Sequence, residues 1–169
     1  MKKILFIAAM VLLASNMVAE VIPAADSRVT FVGRTLVENG DVAFDWTGVY
    51  FRIAFTGKSL SMRASDIKWD TTTEMAATRH NYFNVWIDAP MSAEPHRIIE
   101  VASMDTIIEL IDPVYLKNSK VKVHQVIVQK RTEGEQGKTI IHEFATDAKG
   151  QFLQAEPIRK RQLEFIGAS

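Results

Sequence analysis

The stretch Gly48-Val-Tyr-Phe-Arg-Ile-Ala-Phe-Thr-Gly57 decides the fold. Val49, Phe51, Ile53 and Phe55 alternate with Tyr50, Arg52, Ala54 and Thr56, and an extended chain sends alternate side chains to opposite faces. The pattern predicts a strand with one apolar face, closed at each end by a glycine turn. Similar runs recur at 29–32, 42–46, 60–63, 82–88, 97–101, 106–111, 121–131 and 139–144. Eight or more short strands divided by turn residues predict an all-β fold, an antiparallel sandwich of the jelly-roll kind, over residues 26–153. No repeat of fixed period runs through it. Short helical turns fit at 71–79, which contains Glu74-Met-Ala-Ala77, and at 112–117.

Composition bounds the rest. With 169 residues, 47% hydrophobic and 24% charged, the chain holds one ordinary core. Twenty basic residues balance twenty acidic ones, so neither nucleic acid nor an anionic membrane is an expected partner. Lys2 and Lys3 precede an apolar run at 4–14, the length of a secretory h-region and too short to span a bilayer. Residues 1–19 are therefore read as a signal peptide, with removal at Ala19 or as late as Ala24, and the product as secreted or periplasmic. The absence of cysteine rules out a lipoprotein anchor and disulfide staples, so stability rests on the core.

Beyond the sandwich, Asp147-Ala-Lys-Gly150 reads as a polar turn and residues 154–161 as a proline-bearing linker. An apolar run at 163–166 then leads into Gly167-Ala-Ser169. A buried strand entering a tight turn that presents a hydroxyl is the expected reading of 162–169.

Six blocks carry a family resemblance: Val32-Gly-Arg34, Phe44-Asp-Trp-Thr-Gly-Val-Tyr-Phe-Arg52, Phe55-Thr-Gly57, Tyr82-Phe-Asn-Val-Trp-Ile-Asp88, Lys130-Arg-Thr-Glu-Gly-Glu-Gln-Gly137 and Glu164-Phe-Ile-Gly167. In order and spacing they resemble the N-terminal half of carbohydrate esterase family 2. That family joins a β-sandwich to a C-terminal SGNH/GDSL hydrolase domain and removes acetyl groups from xylan and related plant polysaccharides. The resemblance implies that 162–169 is the first strand of an α/β SGNH domain whose remainder is missing. It also implies acetylated plant cell-wall polysaccharide as ligand. Ser169 holds the nucleophile position by resemblance only. Ala168 stands where the family has aspartate, and the family's late histidine has no counterpart, so no ester hydrolysis is expected from this chain alone.

The activity a sandwich keeps by itself is sugar binding, because sugar rings stack on exposed aromatic faces. Trp46, Trp69, Trp86 and Tyr82 are the candidates, with Tyr50 and Tyr115 as further ones. Alternation puts Tyr82, Asn84, Trp86 and Asp88 on one face and Phe83, Val85 and Ile87 on the other, which is core. Domain packing would use the same aromatic and polar mixture. The block 130–137 reads as a charged hairpin turn with Gly134 and Gly137 at unusual backbone angles, or as a surface facing the catalytic domain. His80, His96, His124 and His142 are scattered, so no metal and no cofactor is expected. Strict alternation sends His142 and Glu143 to opposite faces.

Overall fold

The computed structural model describes residues 18–68, 72, 79–111 and 113–157. Of the stretches read above, residues 1–17 of the expected signal peptide, Trp69, residues 73–78 of the expected helical turn, residues 158–161 of the expected linker and all of 162–169, with Ser169, lie outside the described residues. Among the described residues twelve strands form two six-stranded antiparallel sheets, the sandwich that strand alternation predicts. They are β1 (Val21–Pro23), β2 (Thr30–Val32), β3 (Leu36–Glu38), β4 (Asp41–Phe44), β5 (Tyr50–Thr56), β6 (Leu60–Ile67), β7 (Asn81–Ile87), β8 (Arg97–Val101), β9 (Thr106–Glu109), β10 (His124–Lys130), β11 (Lys138–Thr146) and β12 (Gln151–Leu153). The first sheet runs β3-β4-β11-β6-β9, with β1 on β11. The second runs β12-β5-β10-β7-β8, with β2 on β5. Among the described residues one α-helix, α1 (Pro113–Asn118), falls at the second site where a helical turn fits.

The core lies between the sheets and follows from alternation. Phe51, Ile53 and Phe55 face inward from β5, meeting Leu60 and Met62 of β6 and Ile141 and Phe144 of β11. Phe51 and Phe144 pack across the gap at 5.2 Å between ring centroids, and Phe44 meets Phe83 edge-on at 6.1 Å. Each such burial contributes roughly 1.5–3 kcal/mol.

Three strands, β1, β3 and β12, lie outside the runs read as strands. At three residues each they show no periodicity, and β3 is exposed along its length. Yet Asn39-Gly40 between β3 and β4 takes φ of 52° and 92°, the turn that joins paired strands most tightly.

Two local readings are corrected. The block 130–137 is no hairpin, since β10 belongs to the second sheet and β11 to the first, so it crosses between sheets. Gly137 has the left-handed φ of 116°, whereas Gly134 lies in a short 3-10 turn (Gly134–Gln136). In β11 the register against β6 shifts between Ile141 and Glu143. That bulge leaves His142 and Glu143 both outward, between inward Ile141 and Phe144.

β12 runs antiparallel to β5, and Ala155 N–H then donates to Arg28 O at 3.1 Å. The chain thus heads toward the sandwich end where β5 starts, which also holds the turns at 45–49, 102–105 and 131–137.

Candidate functional site

That end is organised around a covered cation. Lys130 is fully buried, and its Nζ donates to Thr132 O at 2.8 Å, Glu133 O at 3.1 Å and Thr132 Oγ1 at 3.2 Å. Burial pulls its ammonium down to about 8, against the opposing pull of Asp45, Asp66 and Glu133. The Thr132 hydroxyl donates to Asn81 Oδ1 at 2.9 Å, and Asn81 Nδ2 donates to Asp66 Oδ1 at 2.6 Å. Lys68 Nζ lies 2.7 Å from Asp66 Oδ2. The crossover is thereby tied to β7 of one sheet and β6 of the other.

Two of the aromatic candidates flank this crossover. Trp46 is 55% exposed, with the Arg34 guanidinium 5.0 Å from its ring centre, and its neighbour Thr47 donates to Thr132 O at 3.0 Å. On the far side Arg131 N–H donates to Tyr82 O at 2.9 Å, and the Tyr82 hydroxyl donates to Glu100 Oε1 at 3.0 Å.

Trp86 is not brought to them. It is 4% exposed at the opposite end of β7, and its Nε1 donates to Ala93 O at 2.8 Å, under the loop at 89–95. Tyr50, the first residue of β5, lies on the outer face of the second sheet, with the Arg52 guanidinium 5.7 Å from its ring centre. Tyr115 sits at the far end beside a cavity of about 330 Å³ lined by Ile87, His96, Arg97 and Val114, edge-on to His96 at 5.3 Å.

His96 Nδ1 accepts Ile87 N–H at 3.3 Å and His80 Nδ1 meets Lys68 Nζ at 3.4 Å, whereas His124 and His142 hold carboxylates; no group of three metal-binding side chains occurs among the described residues. His124, 3% exposed, holds Asp88 Oδ2 through Nδ1 at 2.8 Å. His142 makes a relay that the sequence conceals: its Nε2 meets Ser65 Oγ at 2.8 Å and its Nδ1 meets Asp41 Oδ2 at 2.9 Å. Serine, imidazole and carboxylate stand in the order of a hydrolase triad across β6, β11 and β4. Exposure runs the wrong way for catalysis. Ser65 is 5% exposed and already accepts Asp105 N–H at 2.9 Å, while Asp41 at the other end has 41% of its side chain in solvent. A nucleophile needs the reverse, so this relay fastens the bulge to its neighbours.

The model of the carbohydrate esterase 2 N-terminal family matches residues 31–156, and the chain belongs to that family. It is 30% identical over 167 residues to an acetylxylan esterase / glucomannan deacetylase of Cellvibrio japonicus (strain Ueda107), covering 94% of this chain and 40% of that protein. The sandwich superposes on a family two carbohydrate esterase from Cellvibrio japonicus with a TM-score of 0.66 at 19% identity, over 85% of this chain and 37% of that one. A family two carbohydrate esterase from Clostridium thermocellum, solved with cellohexaose, gives 0.61 at 18% identity, over 79% and 35%. The chain therefore spans about two fifths of the length of the proteins it matches.

Proposed function

We propose that this chain is the accessory sandwich of a secreted or periplasmic enzyme that deacetylates plant polysaccharide, and that it has no esterase activity alone. The observation that carries this reading is the extent of the family match: residues 31–156 run from β2 through β12, and a relative named for acetylxylan and glucomannan matches 94% of this chain with 40% of its own length. Acyl transfer needs nucleophile, base and oxyanion donors in one constellation. Within the described residues the one serine-histidine-aspartate relay has its hydroxyl covered, which supports assigning the chemistry to an SGNH domain.

The sandwich would meet that domain with the end built on Lys130, because the chain leaves β12 in that direction and exposed Trp46 and Tyr82 stand there. Sequencing the gene past the Ser169 codon tests this. A reading frame that continues into an SGNH domain with a late histidine supports it; a verified stop with no such domain downstream overturns it. Acetate release from acetylated xylan tests the second half: turnover above a Ser169→Ala control contradicts inactivity.

A second reading, a free-standing glycan-binding sandwich, is favoured by the polar and aromatic outer face of the second sheet.

A further inference from the structure

We propose that the outer face of the second sheet holds an uncharged polysaccharide chain lying across the strands, its ligand class resting on the deacetylase reading above. Strand register sets Val32, Tyr50, Gln129, Asn84 and Ile98 side by side on β2, β5, β10, β7 and β8. With neighbouring strands about 4.8 Å apart, the row is roughly 19 Å long, the reach of a short oligosaccharide. It has walls: the Tyr82–Glu100 pair borders it on one side, and the loop over Trp86 rises on the other.

Two polar atoms on this face are buried without a hydrogen-bond partner, Arg52 Nε and Asn84 Oδ1. One is a donor and the other an acceptor, and they lie on β5 and β7 with β10 between them. Buried polar atoms are rarely left unpaired in native proteins, and such an exception points to a missing partner. The pair is selective about what that partner is. A carboxylate or phosphate accepts only, so it would serve Arg52 and leave Asn84 Oδ1 facing negative charge. An ammonium group would do the opposite. A hydroxyl donates and accepts at once, and a sugar chain presents a line of them.

The remaining row residues suit the same ligand. Gln129 offers an amide that both donates and accepts, while the Tyr50 ring and Ile98, 50% exposed, offer apolar surface to the C–H faces of sugar rings. The five row residues are uncharged, and Arg52 stands beside the row, two residues along β5 on the same face.

The test is affinity electrophoresis of the exported chain in gels containing xylan, glucomannan or hydroxyethyl cellulose. Asn84→Leu and Arg52→Met are run beside Ile107→Ser, a control on the far edge of the first sheet. The wild type and Ile107→Ser are expected to be retarded by at least one polysaccharide, and both face variants to lose tenfold or more in affinity. Their Tm should hold or rise, because each substitution removes an unpaired buried polar atom; a purely structural role would lower it. Unchanged retardation of both face variants overturns the site, and so does a wild type that no polysaccharide retards. Neither failure touches the deacetylase reading, which is judged by the gene and by acetate release.

Discussion

Asn81 Nδ2 donates to Asp66 Oδ1 at 2.6 Å, a fully buried amide in the second sheet holding a covered carboxylate in the first. The same amide reaches Gly137 O at 3.4 Å and its oxygen receives the Thr132 hydroxyl, so one side chain joins both sheets to the crossover. Replacing Asn81 with alanine takes the donor from buried Asp66 Oδ1, which keeps Lys68 on its other oxygen, and the acceptor from the Thr132 hydroxyl. The expected loss is roughly 3 kcal/mol, read as a lower urea midpoint at unchanged slope. A loss under about 0.5 kcal/mol would mean the network is replaced by water.

Lys130 makes stability depend on pH in a defined direction. Its ammonium, pulled down to about 8 by burial, titrates below the ordinary lysine value of 10.5, so between these values the unfolded chain binds more protons than the folded one. Stability contributed by this group rises from pH 8 to 10.5, by up to about 3 kcal/mol. Comparing the wild type with Lys130→Met isolates the effect: the wild type should gain on the variant as pH climbs through that window. A difference flat with pH would show that Lys130 is not desolvated.

Gly137 answers to two constraints at once. Its φ is 116°, and a Cβ there would collide with the Ile67 carbonyl. Gly137→Ala should cost about 2–4 kcal/mol and push the crossover off β6, as measured by thermal unfolding. An ordinary helix-surface loss of a few tenths would show that this backbone can relax.

The Ser65–His142–Asp41 relay is expected to be structural. A fluorophosphonate probe should leave Ser65 unlabelled by peptide mass spectrometry. His142→Ala should lower stability by about 1 kcal/mol through loss of both hydrogen bonds. Labelling at Ser65 that His142→Ala abolishes would make the relay a working nucleophile instead.

Under the proposed secretion, Glu20 constrains where processing can cut. Its carboxylate accepts Arg28 Nη1 at 2.7 Å and Phe152 N–H at 2.7 Å, and β1 follows at once. The mature protein is expected to begin at Glu20, after Ala19. An intact mass showing removal through Ala24 would mean that β1 is dispensable.

Much of the sandwich is legible because alternation is a local signal. Phe51, Ile53 and Phe55 declare a strand and its buried face without reference to any partner. Asn39-Gly40 also declares a hairpin, a signal the reading of strands by periodicity passes over. Trp86 shows the limit of such reading. Its position on the outer face follows from the sequence, but the loop that covers it and takes its indole N–H lies seven residues away in a conformation with no periodicity.

Sequence alone determined the all-β class, the alternating core and the family, since each depends on residues near one another or on their order. Only the tertiary structure decided which strands are neighbours, and hence every site described above. The relay draws on residues 41, 65 and 142, and the glycan row on 32, 50, 84, 98 and 129. Strand pairing in an antiparallel sandwich is long-range, and one extra residue, the bulge at His142, reverses which side chain faces solvent. Neither the pairing nor the bulge has a local signature, so the chemistry that depends on them appears only when the sheets close.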